Sequence, residues 1–307
     1  MNRQQYIITG NKGFVGVNLS NYLTNLNGDI LGISRKPSTT EISYQSLTTE
    51  ILNTCSAFIH LAGKAHDLKK TSEDTEYFQV NTELTKTLFD VFLKSECEVF
   101  IYMSSVKAVA DKVEGFLAEN ETPNPITAYG KSKLAAENYI LSKEIPKDKR
   151  VFILRPCMIH GPNNKGNLNV LYSFVSKGIP YPFGKYKNKR SFVSVDNLCF
   201  VIHELITNKK IQSGVFNIAD DASLSTTDLV KIIGETIKKP AKILNIPKPL
   251  VIALAKIGDI LPLPVNSEKL EKLTENYQVS NLKIKQALQK ELPLSTSEGL
   301  KKTIASF

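Results

Sequence analysis

Residues 6–16 read Tyr6-Ile7-Ile8-Thr9-Gly10-Asn11-Lys12-Gly13-Phe14-Val15-Gly16. A short apolar run leads into three glycines spaced three apart, and Val15, Leu19, Leu23 and Leu26 then recur at helical spacing. This is a strand, a glycine turn and a helix. Gly10 allows the tight turn, Gly13 lets a diphosphate approach the backbone, and Gly16 lets helix and strand pack closely. Phe14 and Val15 open the helix, whose N-terminus favours negative charge. The turn is a candidate phosphate cradle.

Outward from the turn, short apolar strands alternate with amphipathic helices. Strands are expected over 29–34, 56–62, 98–104 and 150–159, and helices over 74–94 and 127–142. That rhythm predicts an α/β fold with a doubly wound parallel sheet of Rossmann type. After Gly161-Pro162 the segment 163–190 turns rich in Gly, Pro and Asn. A strand-helix unit resumes over 191–208, a last strand covers 214–218, and the remainder is mostly helical, broken by prolines. The expected division is a dinucleotide-binding domain of 1–162 plus 191–218, and a smaller, mostly helical C-terminal substrate lobe of 163–190 plus 219–307.

Composition narrows the class. The 307 residues are 42% hydrophobic and 22% charged, which reads as globular and excludes collagen, coiled coil and small secreted scaffolds. The net charge is +9, but the densest basic run, 185–190, is too short for a nucleic-acid tail, and no helix-turn-helix or RNA-binding aromatic signature stands out. No nucleic acid is expected as a partner. Cys55, Cys97, Cys157 and Cys199 form no C-x-x-C, and the histidines form no H-E-x-x-H, so no metal site is expected. Free thiols fit a reducing cytoplasm. The start of the chain does not read as a signal peptide. The apolar stretch 250–265 carries Lys256, Asp259, Pro262 and Pro264 and does not read as a spanning segment. A core-facing helix is expected there, with a membrane-facing amphipathic segment as the alternative.

Two further constellations carry chemistry. The second strand ends in Ile33-Ser34-Arg35-Lys36, with no acid to hold a ribose 2′-hydroxyl and two cations instead. Arg35 suits a 2′-phosphate, which favours NADP(H) and leaves NAD(H) as the alternative. Tyr129 and Lys133 lie four apart and share a helix face. A nearby ammonium favours phenolate, so Tyr129 suits proton transfer to or from an alcohol oxygen while hydride moves on carbon. Ser104-Ser105 ends a strand, where binding groups gather in open parallel sheets, and a serine there can orient the tyrosine.

With these pieces in order, the chain resembles the extended short-chain dehydrogenase/reductase family, in its nucleotide-sugar epimerase, dehydratase and reductase branch. The resemblance spans nearly the whole chain. It implies that Ser105, Tyr129 and Lys133 are catalytic, Ser105 being preferred to Ser104 by its offset from Val109-Ala110, where the family commonly has Tyr-Gly. His60-Leu61-Ala62-Gly63 is similar to the family's segment under the dinucleotide, which assigns Leu61, Ala62 and Gly63 to the cofactor. Asn81 matches the family's helical asparagine, and Pro156 sits in a strand end similar to the one beside the nicotinamide. The glycine turn, Ser34 and Arg35 complete the implied cofactor set. Asn167 and Arg190 resemble residues that contact the nucleotide-sugar diphosphate.

The resemblance implies hydride transfer at sugar carbon 4 of a UDP-hexose or UDP-N-acetylhexosamine, by an epimerase or a 4-keto reductase. Residues 178–184 are similar to those of bacterial members that build surface-polysaccharide sugars. It also implies a homodimer through helices 74–94 and 127–142. Family 4,6-dehydratases place Asp-Glu after the catalytic hydroxyl residue; here Val106-Lys107 follows Ser105, which argues against dehydration. A non-catalytic dinucleotide sensor is the remaining alternative, and the retained Tyr129 and Lys133 argue against it.

Overall fold

The computed structural model describes residues 4–64, 73–164, 166–261 and 266–307. Seven parallel strands form the central sheet in the order β3-β2-β1-β4-β5-β7-β10. They are β1 (Gln5–Thr9), β2 (Asp29–Ile33), β3 (Glu41–Ile42), β4 (Ala57–His60), β5 (Val99–Met103), β7 (Arg150–Pro156) and β10 (Gly214–Ile218). The order reverses between β1 and β4, so a crevice opens at the strands' carboxyl ends, where such sheets bind ligands. The Rossmann-type expectation holds.

Alternation along the strands sorts the core onto two faces. Tyr6 and Ile8 of β1 point to one face with Ile59, Ile101 and Leu154, beneath α1 (Phe14–Asn25) and α7 (Val195–Thr207). Ile7 points to the other with Phe58, Phe100 and Tyr102. That face is covered by α2 (Thr49–Leu52), α4 (Leu84–Lys94) and α5 (Ala128–Leu141).

The long helix expected over 74–94 is not one regular element. After α3 (Asp74–Tyr77) it passes through a π-helical turn, Phe78–Glu83, before α4. Such turns insert a residue and re-aim side chains, often at functional sites. The strand expected over 150–159 breaks at Cys157. Its continuation, β8 (Met158–His160), pairs with β9 (Phe192–Ser194) outside the main sheet.

A third cluster of buried side chains joins α6 (Asn167–Ser176), α8 (Thr226–Thr236), α9 (Lys248–Ile260), α10 (Ser267–Thr274) and α12 (Thr296–Ile304). The strand β11 (Gln278–Val279) pairs with β6 (Phe116–Leu117). With α11 (Leu282–Leu288) it returns to the first face of the sheet.

Helix α9 departs from the core-facing expectation. Val251 and Ala255 are its buried side chains, whereas Leu250, Ile252, Leu254, Ile257 and Ile260 are exposed. Residues 262–265 of that apolar stretch lie outside the described residues. Among the described residues no helix is long and apolar enough to cross a membrane, and no group of three His, Cys, Asp or Glu is placed to hold a metal ion. All four cysteines are free and buried.

Candidate active site

The glycine turn has the shape its spacing predicts. Gly10 adopts φ +70°, and a Cβ there would stand 2.8 Å from the Ala62 nitrogen. A Cβ on Gly16 would stand 2.2 Å from the Gly10 carbonyl oxygen, so only glycine permits this packing of α1 against the turn. Gly13 takes the N-cap position, and neither a capping side chain nor a first-turn acid fills the helix N-terminus. The amides beginning at Phe14 and Val15 therefore face the crevice as anion donors.

Beyond β2, Arg35 and Lys36 are exposed. The structure adds an acid from elsewhere. Strand β3 pairs with β2 and brings Glu41 beside the turn, where its carboxylate accepts from Asn11 Nδ2 at 2.8 Å. It also accepts from the Ser38 amide at 2.8 Å and from Ser34 Oγ at 3.3 Å, and Lys12 Nζ lies 2.6 Å away. Burial pushes its pKa up, but the donors from Lys12, Asn11 and Ser38 prevail and hold it at about 2. A two-residue strand carries no periodicity, so no local pattern signals this carboxylate.

Under the crevice floor lies a directed hydrogen-bond chain. Ala62 N–H donates to Thr9 Oγ1 (3.1 Å), which meets His60 Nδ1 at 2.7 Å. His60 Nε2 meets Thr85 Oγ1 at 2.9 Å, and Thr85 donates to the Asn81 carbonyl at 2.7 Å. Every donor finds an acceptor if His60 is neutral with its proton on Nε2. Burial, then the Lys133 charge, depress its pKa to about 3. The chain fixes the Leu61-Ala62-Gly63 backbone against the π-helical turn. Asn81 within that turn donates to the Lys64 carbonyl and to Ser132 Oγ, and accepts from the Lys64 amide. A Cβ on Gly63 would stand 3.0 Å from Lys133 Nζ, so the glycine leaves space above the ammonium.

Helix α5 carries Tyr129 and Lys133. Thr127 caps it by accepting from the Gly130 amide, and a Cβ on Gly130 would stand 2.3 Å from the Lys107 carbonyl oxygen. The first turn of α5 thus rests on the 3₁₀ turn at 106–108, and the Tyr129 phenol reaches a hydrogen bond with Ser105. Burial raises the Tyr129 pKa; the Ser105 bond opposes this, and Tyr77, edge-on at 6.2 Å, adds to it. Lys133 is 4% exposed, donates to the Met103 carbonyl at 2.8 Å and lies 4.9 Å above the Tyr102 ring. Burial lowers its pKa to about 8, against the pull of Glu137.

The two serines separate cleanly. Ser104 is buried and donates to Glu137, which also takes two bonds from Arg155 Nε at 3.0 and 3.1 Å and one from Nη2 at 2.5 Å. This buried ion pair ties α5 to β7. Pro156 follows Arg155 at the strand's end and is buried.

On the far side of the crevice, Arg190 donates to the Lys272 carbonyl at 2.8 Å and lies 3.4 Å from Glu275. Lys107 lies 4.4 Å from the Tyr277 ring centroid, and burial lowers its pKa against the pull of Asp111 and Glu275, with Arg190 adding to the lowering. Sequence reasoning used Lys107 only to argue against dehydration; no local spacing links it to Arg190 or Tyr277. Asn167 begins α6, but its side chain lies outside the described residues.

The parts are a Rossmann-type sheet, a glycine turn at its first helix, and a Ser-Tyr-Lys group that follows β5 and runs along α5. The sequence pattern of the NAD dependent epimerase/dehydratase family matches residues 6–219, and the chain belongs to that family. It is therefore an NAD(P)-dependent enzyme of the extended short-chain dehydrogenase/reductases. The UDP-glucose 4-epimerase of Vibrio cholerae is 30% identical over 98% of this chain and 94% of its own. The N-acetyl-α-D-glucosaminyl-diphospho-ditrans,octacis-undecaprenol 4-epimerase of Escherichia coli O157:H7 is 27% identical over 68% of this chain and 61% of its own. The UDP-N-acetylglucosamine 4-epimerase of Bacillus cereus superposes with a TM-score of 0.77 at 20% identity, over 98% of both chains.

Proposed function

We propose that the protein catalyses hydride transfer at carbon 4 of a hexose carried on a diphosphate, as a 4-epimerase or a 4-keto reductase. The observation that carries this reading is the Tyr129 phenol bonded to Ser105, one helical turn from buried Lys133. The nicotinamide, when bound, supplies or takes up the hydride. Tyr129 gives or takes the proton at the sugar O4, Ser105 holds that oxygen and the phenol in line, and the Lys133 ammonium favours phenolate and binds the ribose. Gly10, Gly13, Phe14, Val15 and Gly16 hold the diphosphate of the dinucleotide, and Leu61, Ala62, Gly63, Asn81 and Pro156 line its remaining length.

The substrate in this reading is a UDP-hexose or UDP-N-acetylhexosamine for surface-polysaccharide synthesis in the cytoplasm. The segments 163–190 and 219–307 hold it, with Arg190 and Asn167 at its diphosphate. The relatives named 4-epimerase support the carbon, and Val106-Lys107 after Ser105 speaks against dehydration. A polyprenyl-diphosphate sugar, the substrate named for the Escherichia coli relative, is the second reading; the exposed apolar face of α9 favours it. The dinucleotide is NADP(H), because Lys12, Arg35 and Lys36 set three cations against the Glu41 carboxylate; NAD(H) is the alternative that Glu41 would serve. A homodimer through α4 and α5 completes the proposal.

The test is to purify the protein without added cofactor, denature it, and identify the dinucleotide released. Near-stoichiometric NAD assigns an epimerase that retains its cofactor and removes the NADP(H) assignment. An empty protein that binds NADPH more tightly than NADH assigns a reductase, to be offered UDP-4-keto sugars. No turnover of either substrate class, with dinucleotide binding intact, would falsify the catalytic reading.

A further inference from the structure

Helix α9 is held to the protein by a narrow edge. Val251 and Ala255 are buried one turn apart, and most of the remaining helix surface is open. At about 100° per residue, Leu250, Leu254, Ile257 and Leu261 fall on one stripe beside that anchoring edge, and Ala253 and Ile260 widen it. Their exposure is high: Leu254 47%, Ile257 46%, Ile260 86%. Lys248, Lys256 and Asp259 lie on the opposite edge. An apolar stripe about 20 Å long, rimmed on one side by charge, marks an interaction surface rather than scattered exposed residues.

Charge selects the occupant. Residues 236–258 contain Lys238, Lys239, Lys242, Lys248 and Lys256 and no acidic residue. All five lysines are exposed. Glu235 and Asp259 flank this span, but its net charge stays positive, so a second copy docked on this stripe would set two positive surfaces together, and that repulsion opposes self-association. An anionic lipid surface satisfies both features at once, because it takes apolar side chains below the headgroups and attracts lysines at their level. We propose that α9 is an in-plane membrane-docking helix that seats this protein on an anionic bilayer surface. The proposal does not rest on which diphospho-sugar the site takes, and its readout needs no turnover.

The experiment is co-sedimentation of the full chain with vesicles. The wild type is expected to pellet with mixed phosphatidylethanolamine and phosphatidylglycerol vesicles at about 0.1 M salt, less at high salt, and far less with phosphatidylcholine alone. Leu254→Glu with Ile257→Glu should cut the bound fraction about tenfold or more, because each puts a charge into the apolar layer. Dinucleotide binding and the melting temperature of that variant should match the wild type, since both side chains are exposed. Lys242→Gln, Lys248→Gln and Lys256→Gln together should abolish the preference for anionic lipid. The proposal is overturned by a wild type that stays in the supernatant with anionic vesicles, or by a double-Glu variant that pellets as before. It is equally overturned if light scattering shows a dimer that the double-Glu variant splits while vesicles capture neither form.

Discussion

Ser105 hydrogen-bonds the phenol of Tyr129, while Ser104, one residue earlier, gives its hydroxyl to Glu137, about two turns further along the same helix. Both follow the end of β5 and take different partners along α5, so the two hydroxyls have separate work. Ser105→Ala should lower turnover roughly 10- to 100-fold with little change in melting temperature, as expected when one orienting hydrogen bond is lost. Ser104→Ala should do the reverse. It leaves a buried carboxylate one donor short, at a cost of about 1–3 kcal/mol, with turnover within a few-fold of wild type. Thermal melts and steady-state kinetics on both variants decide this; equal kinetic damage from the two would remove the distinction.

Tyr129→Phe keeps the ring against Tyr77 and deletes only the hydroxyl. Turnover should fall about 10²-fold or more, as for loss of a general acid-base group, with dinucleotide binding unchanged. Burial raises the phenol's pKa in the cofactor-free protein, so its activation depends on cations brought close. Lys133→Met, which removes the ammonium one helical turn along α5, should therefore shift upward the acidic limb of the pH–rate profile in the direction where Tyr129 takes the proton, as well as weaken dinucleotide binding. Near-normal turnover in Tyr129→Phe would take the residue out of the mechanism.

In the proposed NADP(H) reading, Glu41 and Arg35 oppose one another at the 2′-phosphate. Arg35→Ala should reduce the preference for NADPH over NADH about tenfold or more, as loss of one charge-assisted pair predicts. Glu41→Gln should raise that preference by a similar factor, since it removes the carboxylate and releases Lys12, now 2.6 Å from it, to the phosphate. Dissociation constants for both dinucleotides settle the point. A ratio that moves the same way in both variants would mean that neither residue reads the 2′ position.

The positions of the main strands, the glycine turn and the Tyr129-Lys133 pair were legible because each is local: a short apolar run, period 3.6, or a spacing of three or four. What stayed hidden depends on distant partners. Glu41 reaches the turn from a two-residue strand, and its role exists only because β3 pairs with β2. Ser105 is preferred to Ser104 in the sequence by a family offset alone, and nothing local shows that Glu137, thirty-three residues on, takes the Ser104 hydroxyl. Helix α9 misled for a different reason. Its apolar residues recur at helical spacing whether they face a core or the outside, and only the fold shows that a narrow edge is buried.

Arg190 tests the substrate assignment. Its guanidinium is engaged with the Lys272 carbonyl and Glu275, so a diphosphate must take the place of Glu275 to be held there. Arg190→Ala should raise KM for a sugar diphosphate about tenfold or more while kcat changes little, the pattern of binding lost equally in ground and transition states. Glu275→Gln removes the competing carboxylate and should lower KM. Failure of both to move KM would place the diphosphate elsewhere on the crevice wall.

The His60 chain makes a prediction about acid stability. His60 is fully buried and neutral, with a folded pKa of about 3 against an ordinary value near 6.5. Between those values the unfolded chain takes up a proton that the folded protein refuses. The contribution of His60 is therefore fully present above pH 6.5 and is lost progressively as pH falls toward 3. At about 1.4 kcal/mol per pKa unit the loss amounts to several kcal/mol over that window. His60→Gln stays uncharged and can still donate to Thr85 and accept from Thr9, so its stability should fall less steeply across pH 6.5 to 4, from a somewhat lower plateau at neutral pH. Urea melts at several pH values measure both slopes. Parallel slopes would mean that some other group refuses the proton, and that the crevice floor does not depend on a neutral His60.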